Sequence, residues 1–227
     1  MIKNENVLIS FDLDYTLINN RKGIVNSFNY ALRKFGLPEV NKTRIQRMIG
    51  LPLNEMFTRF TDINPSELAH AFREYYANKG IYQSRLLSGV KNTLKKLKAQ
   101  DFTLGVITSK KQNIAIKIVE YLEIDKFFDF ILGESKYVRS KLDPSLIQYL
   151  FETYPNYKFI IIGDHPKDAM LAKELDCSFI GVLTGFHTKH QLEEARAHQK
   201  KTLIVRKAKD ISIEIIYSAL YKFHPEN

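Results

Sequence analysis

Four short groups of polar residues hold most of the chemistry available to this chain. Asp12 and Asp14 stand two apart, directly after the apolar run Val7–Phe11. If the chain stays extended there, both carboxylates point the same way. Asp164 and Asp168 follow a second apolar run, Phe159–Ile162, by way of Gly163. Four carboxylates gathered at one edge repel one another, and one pKa rises unless a cation intervenes. Oxygen donors select a hard ion, and Mg²⁺ typically binds through few carboxylates plus waters and substrate phosphate. Thr108 and Ser109 follow Thr103–Ile107; the Thr108 hydroxyl and neighbouring backbone N–H groups can hold phosphate oxygens. Lys141, in Ser140-Lys141-Leu142-Asp143-Pro144, supplies a fixed positive charge for a phosphoryl group and its nucleophile. Each residue also has an ordinary use. A strand-end Asp turns the chain or caps a helix, Thr108 caps the next helix, Lys141 stays at the surface, and Asp143-Pro144 starts a helix. Their ordered recurrence at the ends of separate apolar runs is what points to chemistry.

Such residues need a scaffold that brings distant run ends together. Val7–Phe11, Thr103–Ile107, Phe128–Leu132, Phe159–Ile162 and Phe179–Leu183 read as strands, with Thr202–Val205 a weaker sixth. Continuous apolar runs of this length fit strands covered on both faces of a parallel sheet. Between them, Val90–Ala99 and the segments around Ile114–Leu122, Leu146–Phe151 and Met170–Leu175 carry helical spacing. The alternation predicts an α/β fold with a doubly wound parallel sheet. In such sheets ligands bind at the carboxyl ends of the strands, where strand order reverses.

From about Gly23 to Ser84 the alternation stops. Ile24, Phe28, Ala31, Leu32 and Phe35 define one amphipathic helix, which Gly36-Leu37-Pro38 ends. Further helical patterns cover Thr43–Ile49, Leu53–Phe60 and Ser66–Asn78, with Ser66 as the expected cap of the last. The expected organisation is an α/β core of residues 1–19 and 85–227 with a small all-helical domain of residues 20–84.

Composition narrows the class. The 227 residues include one cysteine, Cys177, so neither an intrachain disulfide nor a cysteine zinc site can form. Cys177 reads as a half-buried small residue. No apolar stretch reaches the length of a membrane span, and Met1–Asn6 carries no leader-like apolar region, so a cytoplasmic protein away from membranes is expected. Thirty-four basic against 25 acidic residues give a net charge of +9, which favours anionic partners. The lysines fall in short groups such as Lys95-Lys96-Lys98, Lys110-Lys111 and Lys200-Lys201. No basic tail or groove-reading module is visible, which counts against nucleic acid.

The four groups resemble, in order and spacing, the signatures of the haloacid dehalogenase superfamily, specifically its phosphatases with a helical cap. Phe11-Asp12-Leu13-Asp14-Tyr15-Thr16-Leu17 is similar to that family's Asp-x-Asp-x-Thr. Val106-Ile107-Thr108-Ser109-Lys110, Lys141, and Gly163-Asp164-His165-Pro166-Lys167-Asp168 supply the other three. Two positions depart from the branch that resembles phosphoglycolate phosphatase: Tyr15 stands where Gly is usual, and Leu142 where Pro usually follows the lysine.

The resemblance implies that Asp12 attacks phosphorus and forms an aspartyl-phosphate, while Asp14 protonates the leaving oxygen and then deprotonates water. It implies that Thr108, Ser109 and Lys141 hold the phosphoryl group. Mg²⁺ would be held by Asp12, the Asp14 backbone carbonyl and Asp164, with Asp168 acting from behind or through water. The implied substrate is a phosphorylated small molecule, and the implied protein a monomer or homodimer. Arg21, Lys22, Arg44 and Arg47 are the cap residues able to meet an anionic leaving group, and His165 reads as a loop residue without a role. A phosphosugar mutase shares these signatures. A dehalogenase needs neither Asp14 nor the Gly163–Asp168 motif, and a non-catalytic anion or nucleic-acid binder needs only the charge.

Overall fold

The computed structural model describes residues 6–49, 51–195 and 202–221. Lys200-Lys201 and the first five residues of the leader reading lie outside them. The chain divides into two compact units, Met1–Ile18 with Leu86–Asn227, and Asn19–Arg85.

The strands among the described residues are β1 (Val7–Phe11), β2 (Ile18–Asn19), β3 (Arg85–Leu86), β4 (Thr103–Lys111), β5 (Phe130–Glu134), β6 (Lys158–Gly163), β7 (Ser178–Val182) and β8 (Thr202–Val205). β2 and β3 pair only with each other, whereas the other six form one sheet in the order β5-β4-β1-β6-β7-β8. Every neighbouring pair in that sheet is parallel. All five residues of β1 are buried, as an apolar strand covered on both faces requires. The chain winds outward from β1 through β4 to β5, then returns to the other side of β1 at β6. Strand order therefore reverses between β1 and β6, and the crevice at their carboxyl ends is the expected ligand position.

Among helices α1 (Arg21–Lys34), α2 (Lys42–Met48), α3 (Leu53–Thr58), α4 (Pro65–Tyr75), α5 (Val90–Lys98), α6 (Gln112–Tyr121), α7 (Pro144–Thr153), α8 (Pro166–Glu174), α9 (Lys189–Glu194) and α10 (Ile213–Leu220), the last six belong to the sheet unit. Leu146 and Leu150 of α7, Leu171 of α8 and Leu192 of α9 share one core cluster with Leu8, Phe159, Ile161 and Phe179 of the strands. Cys177 is buried in that cluster rather than half exposed. In the helical unit, Phe28 of α1 stacks on Phe57 of α3, ring centroids 4.3 Å apart, inside a core that includes Ile45 and Leu68. No helix among the described residues is long and apolar enough to cross a membrane.

Several boundaries differ from the sequence reading for local reasons. β5 begins at Phe130, not Phe128, because Asp125–Phe127 forms a short 3-10 turn and Asp129 is used for anchoring. Its N–H donates to the Leu104 carbonyl at 2.8 Å, and its carboxylate accepts from the Leu104 N–H and from Lys98. Ser66 does not cap α4: Asn64 accepts from the Ser66 N–H at 3.0 Å, and Pro65 opens the helix where its missing N–H costs nothing. β4 runs four residues past Ile107, through an irregularity in its pairing with β5.

Candidate active site

The Asp12 N–H donates to the Ile162 carbonyl at 2.8 Å, which carries the β1–β6 ladder one residue beyond the strand. Beyond that point the chain does not stay extended. Leu17 and Ile18 both donate to the Leu13 carbonyl, and Tyr15 to the Ile18 carbonyl. Tyr15 sits at φ 61°, the left-handed region that glycine enters freely and other residues at a cost. This explains why glycine suits the position. Here the tyrosine is held instead, its ring edge-on to Phe186 at 4.9 Å and its carbonyl accepting from the Thr184 hydroxyl. The Asp14 carboxylate pairs with Lys110 at 2.9 Å and is not one of the three acids that cluster most tightly.

That cluster is Asp12, Asp164 and Asp168, each contributing one carboxylate oxygen, all within 4.8 Å of one another. Lys141 lies among them, only 4% exposed and so not a surface lysine. Its Nζ is 2.5 Å from an oxygen of Asp12 and 2.5 Å from one of Asp168. Asp143 caps α7 by accepting from the Ser145 N–H at 3.0 Å, and Pro144 opens that helix. Leu142 packs against the sheet cluster, and its N–H, which a proline would lack, donates to the Ser140 hydroxyl at 3.2 Å. On the other side, Asp168 lies in the first turn of α8. Its second oxygen accepts the His165 N–H at 3.1 Å. His165 is not idle: its Nδ1 accepts the Lys167 N–H at 3.0 Å and so caps the same helix. Burial, then the His187 ring 4.4 Å away, pushes the His165 pKa down to about 4, leaving that nitrogen free to accept.

Thr16, legible beforehand only as a motif position, is fully buried and donates its hydroxyl to Asp164 Oδ1 at 3.0 Å. Thr108 is buried just past the β4 residue that pairs with Phe11, at the same sheet edge, whereas Ser109 is exposed. The loop after β7 completes the surround. A Cβ on Gly185 would lie 1.8 Å from Asp164 Oδ2, so only hydrogen fits there. Gly185→Ala is expected to displace that carboxylate or its loop and to lower turnover roughly 10²-fold, the cost of about an ångström at a reacting centre. Steady-state kinetics beside a melting curve checks this; an unchanged rate would mean the loop yields without consequence.

The electrostatics of the cluster are unbalanced. Burial, reinforced by Asp168 and Asp14 and opposed by Lys141, raises the Asp12 pKa to about 7. Burial also raises Asp164, with Asp12 and Asp168 adding to it. Burial alone would lower Lys141, but the two carboxylates more than offset it and hold the ammonium protonated. Three carboxylates share one ammonium, which leaves two negative charges unmatched when all are ionised. An all-oxygen set with that surplus fits a hard divalent cation such as Mg²⁺.

The chain is similar to known proteins in sequence and fold. The sequence profile of the haloacid dehalogenase-like hydrolases matches residues 9–182. A 5'-nucleotidase from Pseudomonas aeruginosa is 31% identical over 196 residues, covering 84% of this chain and 87% of that protein. A phosphoglycolate phosphatase from Mannheimia succiniciproducens is 31% identical over 195 residues, covering 79% and 87%. Among solved structures, a haloacid dehalogenase-like family hydrolase from Streptococcus pneumoniae superposes with a TM-score of 0.78 at 28% identity, covering 94% of this chain and 98% of that one.

Proposed function

The chain belongs to the haloacid dehalogenase-like hydrolase family and is a phosphatase of small phosphorylated metabolites, and from that premise we propose that it hydrolyses phosphate monoesters through a phosphorylated Asp12. The observation that carries the reading is the buried Asp12–Lys141–Asp168 chain, with Asp164 alongside, at the strand-order reversal.

In this reading an Asp12 oxygen forms the bond to phosphorus as the bond to the leaving oxygen breaks. Asp14 gives its proton to that oxygen, then takes one from the water that attacks phosphorus and releases Asp12 and inorganic phosphate. Lys141 favours the ionised form of Asp12 against burial and faces the charge of the phosphoryl group, while Thr108, with Ser109 beside it, donates to the phosphoryl oxygens. Asp168 holds Lys141 and anchors it to the first turn of α8. Asp12, Asp164 and the Asp14 carbonyl would hold Mg²⁺, with Asp168 contributing charge from behind; the ion would supply positive charge to offset that of substrate and nucleophile. The helical unit is proposed to act as the cap that excludes water during turnover.

The named relatives nominate nucleoside monophosphates and phosphoglycolate as the first substrates to try. Phosphate release from a panel of phosphorylated metabolites, with Mg²⁺ and then with excess chelator, tests the reading. Turnover that needs the ion is expected; undiminished turnover in chelator would rule out the cation.

A further inference from the structure

Lys110 is a lysine with a restricted side chain, 12% exposed, and its Nζ lies 2.9 Å from Asp14 Oδ2. Its backbone is fixed from three sides. β4 and β5 pair in register up to Ile107↔Leu132 and resume at Lys111↔Glu134. Residues 108–110 therefore span a gap that a single residue, Gly133, spans on the other strand. A bulge of this kind re-aims side chains beside active sites. The Lys110 N–H donates to the Thr108 hydroxyl at 3.3 Å. Gln112 clamps the far end, donating to the Ile131 carbonyl at 2.6 Å and accepting the Gly133 N–H at 2.5 Å. Gly133 itself leaves room for the Lys110 carbonyl, which a Cβ there would meet at 2.5 Å. The bulge thus sets both the buried hydroxyl of Thr108 and the ammonium that reaches Asp14.

Asp14 is the carboxylate that this ammonium reaches. It bridges to Ile18 across the Tyr15–Leu17 turn, at the point where the chain leaves the extended path, and its side chain is 30% exposed. Proton transfer requires that carboxylate within hydrogen-bond reach of the leaving oxygen, and an ion pair restrains where it stands. From this we infer that Lys110 is a positioning residue that holds the acid–base carboxylate of Asp14 in place while Asp12 attacks. The inference rests on the roles given to Asp14 and Asp12 above.

The test is the dependence of kcat/KM on the leaving group, because this parameter reports the step in which that group departs. p-Nitrophenol leaves without help, whereas an alkoxide needs the proton. For Lys110→Met, kcat/KM is expected to stay within about threefold of wild type on p-nitrophenyl phosphate and to fall roughly 10²-fold on an alkyl monoester taken from the substrate panel. Lys110→Arg, which keeps the charge, is expected to recover most of the loss. Lys110→Gln is measured beside them, so that a folding failure of the Met variant still leaves a decision. An equal loss on both substrates, or none on either, overturns the inference. Asp14→Asn separates the two layers: it should show the same leaving-group split, larger. If it does not, the role of Asp14 itself fails; if it does and the lysine variants do not, only the role of Lys110 fails.

Discussion

Replacing Asp12 with Asn is expected to lower phosphate release by about 10⁴-fold or more, the scale on which losing a covalent nucleophile is felt. The same change is expected to stabilise the metal-free protein at neutral pH and above. Burial raises the Asp12 pKa from 3.8 to about 7 on folding. Between those values the native state keeps a proton that the unfolded chain has released. The contribution of this one group to native stability is therefore fully present below about pH 4 and is lost as pH rises through about 7. A shift of this size corresponds to about 4 kcal/mol. Asparagine approximates the neutral carboxyl and escapes that loss. Urea unfolding at pH 4.5 and pH 8 checks the sign: the variant should gain over wild type mainly at pH 8, and Mg²⁺ should narrow the gap by binding the native wild-type cluster. A variant that still turns over, or a gap that is larger at the acid end, would contradict the role assigned to Asp12.

The sheet was legible because its signal is local. A buried parallel strand is a continuous apolar run, and Val7–Phe11 shows this in five residues. Order along the chain then placed Asp12, Thr108 and Asp164 at one edge without any knowledge of side chains. Where the reading failed, the deciding contact was distant in sequence. The run from Val7 looks as if it continues past Asp14, but the turn that follows depends on Tyr15 accepting a positive φ and on Thr184 holding its carbonyl. Lys141 reads as a charge beside the nucleophile, but its burial between Asp12 and Asp168 depends on partners 129 and 27 residues away. Lys110 required the β4–β5 register, because an even alternation past Ile107 would not produce the bulge. Gly185 left no trace in one sequence, because its reason is an oxygen of Asp164. The motifs therefore located the groups, while long-range packing determined how each is held.

Lys141→Met is expected to show the second large effect, in activity and stability together. Activity should fall by roughly 10²–10³-fold, the usual loss when one fixed charge facing the developing transition state is removed. Stability should fall by about 3–5 kcal/mol near neutral pH, because the change leaves buried carboxylates with no counter-charge. The sign of the pH dependence separates this from a simple packing defect. Without the ammonium, Asp12 and Asp164 take up protons more readily in the folded state, so the deficit should shrink as the buffer is made more acid and grow as it is made more basic. A cavity or strain left by methionine would cost about the same at every pH. The double variant Lys141→Met with Asp12→Asn gives a further check, since it removes one of the two carboxylates that Lys141 contacts. It should be as inactive as Asp12→Asn alone yet more stable than Lys141→Met alone, and a double-mutant cycle in urea would report the difference as a coupling energy. Additive effects in that cycle would mean that Lys141 does not offset the charge of Asp12, and the electrostatic account of this site would have to rest on Asp168 instead.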